Sequence, residues 1–189
     1  MKINTPVGIS NHHIHLTEAT YIKLFGNNQI IVFKNLKQPG LFAAIQTLKI
    51  KTNKGVIENV RVVGPFRTYD QVEISSSDAY QLGLKPPVRK SGDVTEAAEG
   101  TIIGPAGEVT TNNIIIAQRH VHISQTMASE KGISNDQKVK GIINTAKPGM
   151  IELRTVISPE AYYEIHLDLD DANAFLLTAE DEIIIDYEI

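Results

Sequence analysis

The run Ile9-Ser10-Asn11-His12-His13-Ile14-His15-Leu16-Thr17 is repeated in kind by Ile116-Ala117-Gln118-Arg119-His120-Val121-His122-Ile123-Ser124. Each copy reads Ile, small residue, amide, basic residue, His, aliphatic, His, aliphatic, hydroxyl. The chain has six histidines, and five of them lie in these two runs. On an extended backbone, side chains alternate between two faces, so both imidazoles of a His-x-His pair project to the same side. Two imidazoles from one strand are half of a tetrahedral metal site. Two such halves in one chain point to two metal sites.

With 189 residues, 42% of them hydrophobic and 21% charged, the chain is long enough to bury a real core and has the composition of a globular protein. Its net charge of −4 gives no electrostatic reason to expect a nucleic-acid or membrane partner. No apolar run approaches the roughly 20 residues of a membrane span. Met1 to Val7 lacks the pattern of a signal peptide, so a cytoplasmic location is expected. There is no cysteine, which excludes disulfides, a thiol nucleophile and thiolate ligands together. Any metal must rest on imidazole and carboxylate, the donor set of catalytic rather than structural zinc.

Val7 to Leu16 reads as one strand delivering the first histidine pair. Thr17 then caps a helix over residues 18–25 that ends at Gly26, and Ser124 caps a second over 125–131 that ends at Gly132. The repeated unit is therefore strand, cap and helix. Between and after the copies, short β-rich runs alternate with turn signals such as Asn53-Lys54-Gly55 and Pro105-Ala106-Gly107. Many short strands with few brief helices predict small β-barrels.

His13/His15 and His120/His122 are the candidate ligands, with His12 pointing away from the pair. His166, in Glu164-Ile165-His166-Leu167-Asp168, is either a packed histidine or a fifth ligand. Glu73 is the one carboxylate in its strand and by itself reads as a solvated glutamate. Arg67, on the turn Gly64-Pro65-Phe66-Arg67-Thr68, is either a surface arginine or an anion clamp, since guanidinium matches phosphate or carboxylate in bidentate fashion. Asp168, Asp170 and Asp171 read as a helix start, with Asp170 as its cap.

The motifs Ser-Asn-x-His-Ile-His-Leu, Gln-Pro-Gly-x-Phe-Ala-Ala, Val-Arg-Val-x-Gly-Pro-x-Arg, Gln-Val-Glu-Ile-Ser, Ser-Gly-Asp, Arg-His-Val-His and His-x-Asp…Ala-Asn-Ala, in this order from about Val7 onward, resemble the phosphate propanoyltransferase family, the microcompartment-type phosphotransacylases. The resemblance implies two Zn2+ ions, one on His13, His15 and Glu73, the other on His120, His122 and His166. It makes Arg67 the phosphate-binding catalytic residue and Ser10, Lys34, Arg61 and Asn173 contacts for coenzyme A. The fold it implies is mainly β, two interlocked small β-barrels capped by short α-helices. One barrel would comprise residues 1–11 plus 118–189, the other residues 12–117, with the active site between barrels and a homodimer as the usual assembly. Two positions depart from the family pattern: His12, where arginine is usual, and Ile45-Gln46, where an acidic pair is usual. The barrel motif begins almost at Met1, so no encapsulation peptide is expected.

The implied activity is reversible transfer of a short acyl group, propanoyl or acetyl, between coenzyme A and inorganic phosphate. The coenzyme thiolate would be stabilised at the first ion. A metal-dependent hydrolase of a thioester is the alternative enzyme class, and a non-enzymatic metal-binding protein the third reading. The chain is too short and strand-dense for the eight-fold α/β barrel that also uses His-x-His.

Overall fold

The structure, a computed structural model, describes residues 1–188. The chain divides into two compact units, Met1–Ser10 with everything from Gln118 onward, and Asn11–Ala117. Among the described residues, no helix is long and apolar enough to cross a membrane.

In chain order the elements are β1 (Lys2–Ser10), β2 (His13–His15), α1 (Glu18–Phe25), β3 (Val32–Asn35), β4 (Phe42–Lys51), β5 (Val56–Gly64), β6 (Gln71–Ile74) and α2 (Ser76–Leu82). There follow β7 (Val88–Arg89), β8 (Ala98–Ile103), β9 (Glu108–Ala117), β10 (His120–Ser124), α3 (Gln125–Lys131), β11 (Lys138–Ile143), β12 (Gly149–Ser158), β13 (Glu164–Asp168), α4 (Leu169–Ala174) and β14 (Glu182–Asp186). Six strands close one barrel in the order β1-β13-β10-β12-β11-β14. In the other unit β4, β5, β2, β6, β9 and β8 pair in a ring, because β8 bonds to both β9 and β4. β3 and β7 extend that sheet at β4 and β9. The expected mainly-β fold with two barrels is what forms.

The two rings have the same wiring. Each His-x-His strand lies between a parallel and an antiparallel neighbour: β2 between β5 and β6, β10 between β12 and β13. The third ligand-bearing strand then has a parallel partner on its other side, β9 for β6 and β1 for β13. The helix after each histidine pair starts on the hydroxyl of the repeat. Thr17 accepts from the Thr20 amide and Ser124 from the Met127 amide, and Gly26 and Gly132 end the helices in the left-handed conformation.

The expected single strand from Val7 to Leu16 is two strands in two barrels, parted at Asn11 and His12. The reason lies in side-chain phase. Val7 faces the first unit's core and Ile9 packs against it, whereas Ile14 and Leu16 face the second unit's core, so the inward positions change from odd to even. One unbroken strand cannot do that. The second copy makes the reverse change, from Ile114 in one core to Val121 and Ile123 in the other. At each break the basic residue of the repeat binds an acid at the same place, the third residue of the helix that follows the third ligand strand. His12 Nδ1 lies 3.2 Å from both Asp78 oxygens, and Arg119 makes a bidentate pair with Asp171 at 2.8 and 2.6 Å. Asp168, not Asp170, caps that last helix, accepting from the Asp171 amide at 2.8 Å.

Candidate metal centres

Strand register assembles each centre as a square of four side chains on the face of the sheet opposite the core. In the Asn11–Ala117 unit, His13 stands across from Glu73 and His15 across from Gln71, while Ile14, Val72 and Ile74 point into the core. In the other unit, His120 stands across from His166 and His122 across from Glu164, with Val121, Ile165 and Leu167 in the core. Antiparallel neighbours lie close enough for such cross-strand groups to converge.

Among the described residues, two sets bring metal-ligating atoms within 4.8 Å of one another: His13, His15 and Glu73, and His120, His122 and His166. His13 Nε2 is 3.4 Å from one Glu73 oxygen and His15 Nε2 3.9 Å from the other. His120 Nε2 and His122 Nε2 face each other at 3.1 Å. Two nitrogens on a tetrahedral zinc, each at about 2.0–2.1 Å, are separated by roughly 3.3 Å. The spacing therefore fits a shared divalent ion.

Hydrogen bonding to the other ring nitrogen fixes which atom offers its lone pair. His13 donates Nδ1–H to the Asn11 carbonyl (2.9 Å) and His120 donates Nδ1–H to the Gln118 carbonyl (2.7 Å), in each case two residues upstream. His15 donates Nδ1–H to the Val63 carbonyl at 3.1 Å. All three thus present Nε2, the arrangement in which a histidine's outer N–H is anchored while its inner nitrogen binds metal. Among the described residues His122 Nδ1 is buried with no hydrogen-bond partner, and its ring lies edge-on against those of His120 and His166. Burial first, then the neighbouring His13 and Arg67, push the His15 imidazole down to about 3. Burial, with His120 and His166 beside it, pushes His122 down to about 2. Both rings are neutral at pH 7, as ligands must be. Two imidazoles with a carboxylate, and three imidazoles, are both donor sets of catalytic zinc when a fourth position stays open. The residues fit that ion.

A chain of hydrogen bonds leads away from the first cluster. Gln71, fully buried, donates Nε2–H to Glu73 at 2.5 Å and to Ser91 Oγ at 3.0 Å, and accepts the Gly92 amide at 2.8 Å. Ser91 Oγ also accepts from Arg67 Nη1 at 3.0 Å, and the Tyr69 hydroxyl accepts from the same nitrogen at 3.1 Å. Arg67 is thereby oriented and tied, through two side chains, to the carboxylate of the cluster. Glu73 is 9% exposed and is no solvated strand glutamate.

The four residues expected to touch coenzyme A are divided between the units. Ser10 donates to the Leu167 carbonyl (3.3 Å), and Asn173 is exposed on α4. Lys34 is exposed on β3, and Arg61, beside His13 in the sheet, donates to the Ala44 carbonyl (2.6 Å) and lies over the Phe33 ring at 5.2 Å. Sequence reasoning did not single out Gln71, Ser91 or Glu164. For Gln71 and Glu164 the signal was available, since each sits two residues before a candidate ligand and so shares its face.

The family model for phosphate propanoyltransferase matches residues 6–178. A phosphate propanoyltransferase of Levilactobacillus brevis is 42% identical over 171 residues, covering 89% of this chain and 82% of that protein. One from Rhodobacter capsulatus is 40% identical over 173 residues, 90% of this chain and 80% of its own. The Thermotoga maritima protein of the same name is 40% identical over 183 residues, 95% of this chain and 87% of its own. With nearly the whole barrel pair matched at this identity, the chain belongs to the phosphate propanoyltransferase family and is an enzyme, a phosphate acyltransferase.

Proposed function

We propose that this enzyme interconverts a short-chain acyl-CoA and inorganic phosphate with the acyl phosphate and free coenzyme A, with propanoyl or acetyl as the acyl group. The observation that carries this is the oriented guanidinium of Arg67, hydrogen-bonded through Ser91 and Gln71 to the carboxylate of a three-ligand cluster. An arginine held in this way pairs with a phosphate dianion without first losing side-chain freedom. A phosphate oxygen forms a bond to the acyl carbon, the carbon–sulfur bond breaks, and the proton lost by phosphate ends on the sulfur. Arg67 stays charged throughout and offsets the negative charge that gathers on the phosphate oxygens as attack proceeds. Ser91 and Tyr69 keep it from swinging away. No side-chain nucleophile is required, in keeping with a chain that has no cysteine.

His13, His15 and Glu73 would hold one Zn2+ and His120, His122 and His166 a second. When bound, such ions supply Lewis acidity and stabilise a thiolate at neutral pH. Ser10, Lys34, Arg61 and Asn173 are assigned to the coenzyme, and a homodimer is the expected assembly.

Arg67→Ala tests the assignment. Two zinc ions per chain should remain, while phosphate-dependent release of coenzyme A from propanoyl-CoA falls by about 10²–10³-fold, the usual loss on removing one charge-stabilising donor. Unchanged turnover would overturn the role given to Arg67. Coenzyme A release at the same rate without phosphate would replace acyl transfer with thioester hydrolysis.

A further inference from the structure

The two squares differ at two corners, the third ligand and the residue two positions before it, and the two differences are chemically matched. In the first, the residue across from the second histidine is Gln71; in the second it is Glu164. Both are buried, at 0% and 4% exposed, in a face otherwise given to ligands. Each sits two residues upstream of the third ligand and hydrogen-bonds to it. Gln71 Nε2 meets Glu73 Oε1 at 2.5 Å, and Glu164 Oε2 meets His166 Nε2 at 3.0 Å. A carboxylate ligand is thus held by an amide donor, and an imidazole ligand by a carboxylate acceptor.

We infer that Glu164 is the positioning residue of the His120/His122/His166 cluster, accepting Nε2–H of His166 and so fixing that ring's orientation and tautomer for metal binding. The inference rests on the two-ion reading proposed above. Accepting Nε2–H leaves the lone pair on Nδ1, the carboxylate–histidine–metal relay in which the outer carboxylate raises the basicity of the ligand. The donor sets give a second reason. Glu73 brings a carboxylate directly into the first set, whereas the second set is made of imidazoles alone. Glu164 places a carboxylate one hydrogen bond back from the second set. Gly8 shows how closely the carboxylate is confined: a Cβ there would lie 2.8 Å from Glu164 Cδ, 2.9 Å from its Oε2 and 3.0 Å from His166 Cδ2. β1, which carries Gly8, runs beside β13 with Gly8 in register with His166, so the bare backbone forms one wall of the slot.

The experiment is zinc competition against a chromogenic chelator on the full chain, comparing wild type, Glu164→Gln and His166→Ala. Glutamine keeps the shape and still accepts from His166, so the fold should be retained, as circular dichroism would show. Expected is one ion bound as tightly as in wild type and the other weakened about 10–100-fold, with His166→Ala losing that ion altogether. Cobalt substitution gives an independent readout, because the visible bands of the second ion should shift in Glu164→Gln while those of the first stay. If Glu164→Gln binds both ions with wild-type affinity and cobalt spectrum, the positioning role is overturned and the two-ion reading stands. If wild type and His166→Ala bind the same number of ions, the second centre itself falls, and the role of Glu164 with it.

Discussion

Replacing Gly8 by alanine is a small perturbation with a calculable consequence. The added Cβ would stand 2.8 Å from Glu164 Cδ and 3.0 Å from His166 Cδ2, against the roughly 3.5–4.0 Å at which carbon atoms rest. Something must move by about 0.5–1 Å, and the neighbours are a buried carboxylate and the ring it orients. Overpacking of this kind costs about 1–3 kcal/mol. In a domain of this size each kcal/mol lowers the melting temperature by about 2–4 °C, so a fall of about 2–12 °C is expected in metal-free protein. In zinc the loss should be greater, because displacing His166 weakens an ion that binds the folded state and stabilises it by mass action. Scanning calorimetry with and without chelator separates the two parts. An unchanged melting temperature in both conditions would show that β1 and β13 part freely, and the confinement of Glu164 would be refuted.

Other expectations concern the metal and pH. His13→Ala and His120→Ala should each lower bound zinc from two ions per chain to one, measured by plasma emission, and the double variant should bind none; a single change that empties both centres would refute two separate clusters. Acid should destabilise the metal-free protein. The folded pKa values of His15 and His122, about 3 and about 2, lie below the unfolded value of 6.5, so the unfolded chain binds more protons as pH falls. The stability these rings contribute is complete above pH 6.5 and is lost at up to about 1.4 kcal/mol per pH unit for each ring on going down toward pH 3. Urea titrations from pH 7 to 4 should show it, and midpoints that do not move would contradict the burial of these rings.

The histidine repeat made both clusters legible in the sequence because a strand's period of two is strict. Two residues on one strand share a face whatever the fold around them. The caps at Thr17 and Ser124 and the stops at Gly26 and Gly132 were legible because they depend on local backbone chemistry. The resemblance placed a barrel boundary after residue 11, but the strand reading from Val7 to Leu16 ran through it, although the change from odd to even apolar positions carries the break. A two-residue interruption inside an apolar alternation looks like a strand unless phase is followed. Membership of Glu73 and His166 in particular clusters depends on which strands pair, and pairing is set by the whole barrel. Gln71 and Glu164 could have been placed on the ligand face from their spacing, two residues before Glu73 and His166, but that this face is buried and that each bonds to the neighbouring ligand depends on strand pairing.

The position of residues 11–117 in the sequence, between β1 and the rest of its barrel, also orders events in time. Residues 11–117 form a contiguous unit that can complete its ring while the ribosome is still making the rest. The other barrel includes β1, made before residues 11–117, yet that strand's partners β13 and β14 are made after them. Until they arrive, β1 is an unpaired strand carrying Val7 and Ile9, the kind of edge that recruits wrong partners. Its closure spans nearly the whole chain, and long-range pairing of this sort is slow. Assembly of the His120, His122 and His166 cluster, which lies in that barrel, is therefore expected to be the late step of maturation.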